Sequence, residues 1–253
     1  MKNMTAVRNM PKRAHGRIVS MQTISVIVLL IPSLGIAESP PVAETSPAFL
    51  ECGELVTTMK LGYGPYDYTN ARHVAERLPV VENHHFTPPV EMLIEGSTGT
   101  VDGDLDYTLR AFPNHHRALY AMTRLRLREG NKPSGYPAKC YLERALAYAP
   151  NDSAVHVIYG IFLYRSDQMY DAIDYLTNAV RLAPEYAEAQ YNLGLALYSV
   201  EMYDDAAIHA DEALRLGYPQ KGLIKKLTEV GHWPVQERPV GASLETASPS
   251  VTN

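Results

Sequence analysis

The chain holds few of the residues from which catalytic and redox centres are built. The only two cysteines, Cys52 and Cys140, stand too far apart in sequence to form a CxxC pair or a haem-attachment CxxCH motif. No GxSxG, SxxK, phosphate-binding loop or HExxH occurs. Catalysis would have to rest on nine histidines and scattered carboxylates, so neither an enzyme nor a bound cofactor is expected. Phenylalanine (4) and tryptophan (1) are scarce, and aromatic area comes instead from 17 tyrosines. Tyrosine offers apolar surface with a polar tip, which suits a face that meets a partner. Long hydrophobic runs are missing too. The most apolar stretch, Ile24 to Leu34, is interrupted by Pro32 and falls short of the ~20 residues that cross a bilayer.

That stretch sits in a recognisable pattern. Lys2, Arg8, Lys12, Arg13 and Arg17 precede it, and the small-x-small run Gly35-Ile36-Ala37 follows. The pattern predicts a signal peptide over 1–37, cut before Glu38. An uncleaved membrane anchor is the alternative reading. No cysteine follows the cut, which argues against a lipid anchor. Residues 1–37 hold five of the 23 Lys+Arg and none of the 28 Asp+Glu, so the processed chain has 18 cations against 28 anions, a net charge of −10. Such a chain is a poor candidate for nonspecific nucleic-acid binding. Export to the periplasm or beyond also bears on Cys52 and Cys140, for which a disulfide is the expectation and two separate buried thiols the alternative. Closing that loop contributes up to about 4–5 kcal/mol in the chain-entropy model.

Residues 38–49 are rich in Pro, Ser and Thr and read as a linker, and 234–253 as a disordered tail. Between them an internal repeat dominates. Residues 151–184 and 185–218 place Gly160 and Gly194 34 apart, and likewise Ala172 and Ala206, and Ala179 and Ala213. Small residues at these positions let antiparallel helices approach: Gly160 or Gly194 is expected to face Ala172 or Ala206, and Ala179 or Ala213 to admit the next pair. Pro184 ends the second helix. Ala138, Ala145 and Pro150 stand 34 before Ala172, Ala179 and Pro184, with the Gly130–Gly135 loop absorbing three extra residues.

This arrangement resembles the tetratricopeptide-repeat (TPR) superfamily. The resemblance implies an all-α helix-turn-helix solenoid over 101–233: a half repeat at 101–115, repeats at 116–152, 153–186 and 187–220, and a capping helix at 221–231 with basic residues outward. Residues 50–100 do not follow the repeat and read as an irregular module. Gly62, Gly64 and Pro65 prevent a regular helix near GYGPYDY, while Thr87 to Gly96 reads as one short capped helix. That stretch, with VENHHFTPPVE, DLDYTLRAFPNHHRALYAM and LGYP before the last helix, resembles a group of exported TPR proteins of Gram-negative bacteria. The narrower resemblance implies fold and export, and no reaction.

In TPR arrays the first helix of each repeat lines a concave groove. Carried over residue by residue, the groove comprises Arg117, Tyr120 and Arg124, then Val157, Ile161, Tyr164 and Arg165, then Glu188, Tyr191, Leu195 and Tyr198. Tyr and Arg dominate interface energetics, so this stripe is expected to receive a helix or peptide of another envelope protein. The chain's own N-terminal module or C-terminal helix filling it is the alternative. The carboxylate clamp of some TPR domains does not fit, because Tyr120, Arg124, Ile161 and Glu188 occupy its positions. A second function reading, metal binding or metal-dependent catalysis, rests on two Asn-His-His triplets. His84, His85, His115 and His116 would form a site if the triplets meet, with Glu82, Asp104 or Asp106 completing it. Otherwise Asn114 is expected to cap a helix while the histidines pack.

Overall fold

The computed structural model describes residue 52 and residues 63–129 and 135–233. The leader, the linker, most of the Gly130–Gly135 loop and the C-terminal tail lie outside the described residues. The described residues are all-helical, with eleven helices and no strand. None is long and apolar enough to cross a membrane.

Three short helices come first: α1 (Ala71–Glu76), α2 (Leu78–His85) and α3 (Pro88–Glu91). Part of the segment read as irregular is thus helical. Asn70 caps α1 by accepting from the Arg72 and His73 amides, and Pro79 is tolerated in the first turn of α2. The helix expected from Thr87 to Gly96 is shorter. Thr87 makes no side-chain cap, and the chain leaves helical geometry at Leu93, whose φ is 59°.

Eight longer elements follow: α4 (Val101–Ala111), α5 (His116–Glu129), α6 (Ala138–Tyr148), α7 (Ser153–Arg165), α8 (Met169–Leu182), α9 (Ala187–Ser199), α10 (Tyr203–Arg215) and α11 (Gly222–Glu229). The helices α7 and α9 start 34 residues apart, as do α8 and α10. Prolines set three of the ends. The helices α4, α6 and α8 stop two residues before Pro113, Pro150 and Pro184, and the intervening Phe112, Ala149 and Ala183 have ψ of 87°, 73° and 82°. A following proline disfavours the helical region for the residue before it, which forces this exit. The α7–α8 and α9–α10 turns share another device. Asp167 and Glu201, again 34 apart, adopt φ of 62° and 63°, so Gln168 and Met202 donate back to the Leu163 and Leu197 carbonyls.

Consecutive helices pack against one another from α4 through α11, and one apolar core runs from Cys52 to Leu227. The small residues act as close-approach points, with a correction. A Cβ on Gly160 would lie 2.5 Å from Leu176 Cγ, so its partner is one turn beyond the expected Ala172. A Cβ on Gly194 would meet Leu223 Cδ2 at 2.7 Å and the Ala206 carbonyl oxygen at 3.2 Å, so α11 shares that contact. Ala179 sits with Val157 and Ala189 where α7, α8 and α9 meet. On α11, Leu223 and Leu227 are buried while Lys225 and Lys226 are exposed.

The N-terminal segment joins this body through a disulfide and a small apolar core, and a buried arginine ties α6 to the end of α4 beside them. Cys52 and Cys140 form a disulfide, with a Cα–Cα distance of 5.3 Å. Leu78, Val81, Ala111 and Phe112 form a small core with Tyr63, Tyr66, Tyr68 and Val74 around it. The buried Arg144 of α6 donates to the Leu109 carbonyl at 2.5 Å, satisfying an end of α4 that has no intrahelical donor. Replacing Gly160 with valine should lower stability by about 1–3 kcal/mol through overpacking against Leu176. Urea denaturation reads this as a lower midpoint, and an unchanged midpoint would contradict the close approach.

Candidate functional site

Three helices build a cleft with their corresponding positions. The second residues of α5, α7 and α9 (Arg117, Ala154 and Glu188) line it together with the fifth and ninth residues of α5 and α7. Those are Tyr120 and Val157, then Arg124 and Ile161. Positions three and four apart fall on one helix face, so the lining follows from the helical period. The cleft holds about 230 Å³, and Ala121, Val157, Ile158 and Ile161 give it an apolar floor.

Six of the eleven groove residues expected from the sequence therefore meet here: Arg117, Tyr120, Arg124, Val157, Ile161 and Glu188. The others lie elsewhere. Tyr191 is buried, with its ring 4.6 Å from that of Tyr218. Tyr198 packs against Tyr203 and lies under the Lys226 ammonium. Leu195 packs on the core, and the Tyr164 hydroxyl lies 3.1 Å from Ser199 Oγ. Arg165 lines an adjacent hollow with Leu93, Arg124, Leu127 and Arg128. The Tyr191 and Tyr198 part of the stripe is thus covered by the α10–α11 segment, whereas the α5–α7 part stays open. Glu91, His116 and Tyr186 also border the cleft. Tyr186 stands just before α9, where spacing from the helix start could have found it. Glu91 comes from α3, outside the repeat, and no local pattern signals it.

Glu91 forms the cleft's wall through Arg117. The guanidinium donates from Nε to Glu91 Oε1 at 2.8 Å, donates from Nη2 to Glu91 Oε2, and reaches Glu82 Oε1 at 3.3 Å. The hydrogen bond from Arg117 holds the Glu91 carboxyl below its ordinary range, and Glu91 in turn raises Arg117.

Behind this wall lies the second Asn-His-His triplet. Asn114 does not cap α5. Its Oδ1 accepts from the Tyr68 amide at 2.9 Å, and its Nδ2 donates to Asp67 at 2.8 Å and Asp152 at 2.9 Å. The cap is His115, whose Nδ1 accepts from the Ala118 amide at 3.2 Å. That acceptor role leaves the proton on Nε2, which donates to Glu82 Oε1 at 3.1 Å. His115 is fully buried, stacked on Tyr68 at 4.2 Å and edge-on to Phe86. Burial pushes its pKa down, against the opposing pull of Glu82. His116 Nε2 lies 2.8 Å from Asp152 Oδ2, and Asp152 caps α7 through Ala154.

The first triplet turns elsewhere. His84 is exposed, and His85 Nδ1 lies 3.0 Å from Asp104 Oδ1. Asp104 also accepts from Thr98 Oγ1 and the Ser97 and Thr98 amides. Burial raises its pKa, yet these hydrogen bonds together hold it below the ordinary value. The four histidines expected as ligands thus engage separate carboxylates or solvent. Among the described residues no group of three or more His, Cys, Asp or Glu is placed to hold a metal ion. The second triplet and His85 tie structural elements together. No family model matches the chain, and no curated protein matches it.

A neutral buried histidine makes stability depend on pH. The unfolded chain protonates this imidazole near pH 6.5, while the folded chain resists, so stability is present above that value and is lost as pH falls below it. His209, partly buried and likewise pushed down by desolvation, acts in the same direction. His115→Gln should cost about 1–3 kcal/mol from a disrupted buried network. It should also flatten part of the decline in denaturation midpoint between neutral pH and about pH 5. An unchanged slope would contradict the neutral assignment.

Proposed function

We propose that the chain is an exported tetratricopeptide-repeat scaffold that holds a peptide or helix of another envelope protein in the α5–α7–α9 cleft. One observation carries the reading. Equivalent positions of successive first helices converge on an open cleft with an apolar floor, and equivalent positions converge in this way when like helix pairs stack. The 34-residue offset of helix starts and of the left-handed residues Asp167 and Glu201 supports stacked repeats. On this reading α5–α6, α7–α8 and α9–α10 are the three repeats, α4 belongs to a degenerate half repeat, and α11 is the cap. Export rests on the basic and apolar leader, and the Cys52–Cys140 disulfide supports an oxidising compartment.

An apolar cleft rimmed by charge suits recognition. Ala121, Val157, Ile158 and Ile161 supply burial, and Tyr120 with the neighbouring arginines supplies orientation. The protein's role is then to bind and position, with specificity set by the rim.

Affinity purification from envelope extracts tests this. Ile161→Glu places a charge on the cleft floor and should abolish recovery of the partner. Ile208→Glu, on an exposed position of α10, should leave recovery unchanged. Equal recovery with both variants, each confirmed folded by circular dichroism, would overturn the groove assignment.

A further inference from the structure

Two arginines beside the cleft lack the carboxylate partner that Arg117 has on its wall. Arg117, Arg126 and Arg110 each hold a carboxylate. Among the described residues Arg124 and Arg165 hold none, and both guanidiniums lie 5.8 Å from the centroid of the same Tyr120 ring. The chain as a whole carries a net charge of −5, so Arg124 and Arg165, with no carboxylate partner among the described residues, run against the overall balance. Two like charges around one ring repel each other, and a ligand carboxylate relieves that repulsion while gaining charge-assisted hydrogen bonds.

The hollow also has a direction. It shares Arg124 with the apolar cleft, so the two form one continuous surface. Its lining includes Leu93, flanked in sequence by Met92 and Ile94, which are 54% and 68% exposed. An extended chain can therefore enter the cleft, cross the arginines and continue over apolar surface, rather than end there.

We infer that the partner presents an extended segment with an apolar side chain in the cleft and, further along, an aspartate or glutamate side chain between Arg124 and Arg165. This rests on the groove reading above and adds the chemical class of its ligand. A carboxylate fits because guanidinium groups match its planar, two-oxygen geometry.

The test is selection of a random peptide library, fused at both ends so that no free C-terminus is displayed, on the purified full chain. Wild-type protein should enrich peptides in which Asp or Glu follows or precedes Leu, Ile, Met or Phe at short spacing. The Arg124→Gln/Arg165→Gln protein should keep the apolar enrichment and lose the acidic one. The single Arg165→Gln change, at an exposed position, serves if the double variant does not fold. A selected peptide should bind about tenfold more tightly than its Asp→Asn or Glu→Gln isostere, with that advantage removed by either variant. Apolar enrichment without acid preference would overturn the inference and leave the groove reading standing. No enrichment at all, or enrichment indifferent to Ile161→Glu, would overturn both. Enrichment only in a library with free C-termini, and only at the last residue, would assign the arginines to a terminal carboxylate and overturn the side-chain assignment.

Discussion

A buried polar side chain is tolerated only when its hydrogen-bonding atoms are matched, and the junction around Asn114 and His115 meets that condition. Both residues are fully buried. Asn114 binds Tyr68, Asp67 and Asp152, while His115 binds Ala118 and Glu82. These contacts tie together the segment before α1, the helix α2, the start of α5 and the start of α7. Glu82 also accepts from Arg117, which donates in turn to Glu91. The junction therefore fixes both the docking of the N-terminal helices and the charged wall of the cleft. A lost partner here leaves a buried donor or acceptor unmatched, which costs more than the hydrogen bond contributes when made.

The all-helical class and the disulfide were legible in the sequence because each leaves a local or pairwise mark. Small residues at fixed phase mark helix contacts, and two cysteines behind a leader that reads as an export signal mark a bridge. Proline exits at 113, 150 and 184 were legible for the same reason, since proline acts on its immediate neighbour. Less was legible where a residue type does not betray its geometry. Asp167, Glu201 and Leu93 adopt left-handed backbone conformations that glycine usually marks. The helices α1 and α2 are too short for periodicity to stand out.

The site shows the same division. Arg117, Tyr120, Arg124, Val157 and Ile161 follow from position along a helix. Tyr191 and Tyr198 share that spacing, but Tyr218, Tyr203 and Lys226 cover them, and tertiary packing of α11 is not written in α9. The Asn-His-His triplets stood out as chemistry-bearing clusters. Their partners Asp67, Glu82 and Asp152 lie 47, 33 and 36 residues away, so only the folded chain distinguishes a structural junction from a ligand set.

The same packing leaves the cleft with an apolar floor, a neutralised wall at Arg117 and, in the adjoining hollow, Arg124 and Arg165 with no carboxylate partner among the described residues. Apolar surface of that kind is stabilised by being covered, either by a partner or by another part of the same polypeptide. A photo-crosslinking residue at position 161, activated in intact cells, distinguishes the two. A discrete adduct between this chain and a second polypeptide is the expected result. Crosslinks confined to the chain's own residues would contradict it.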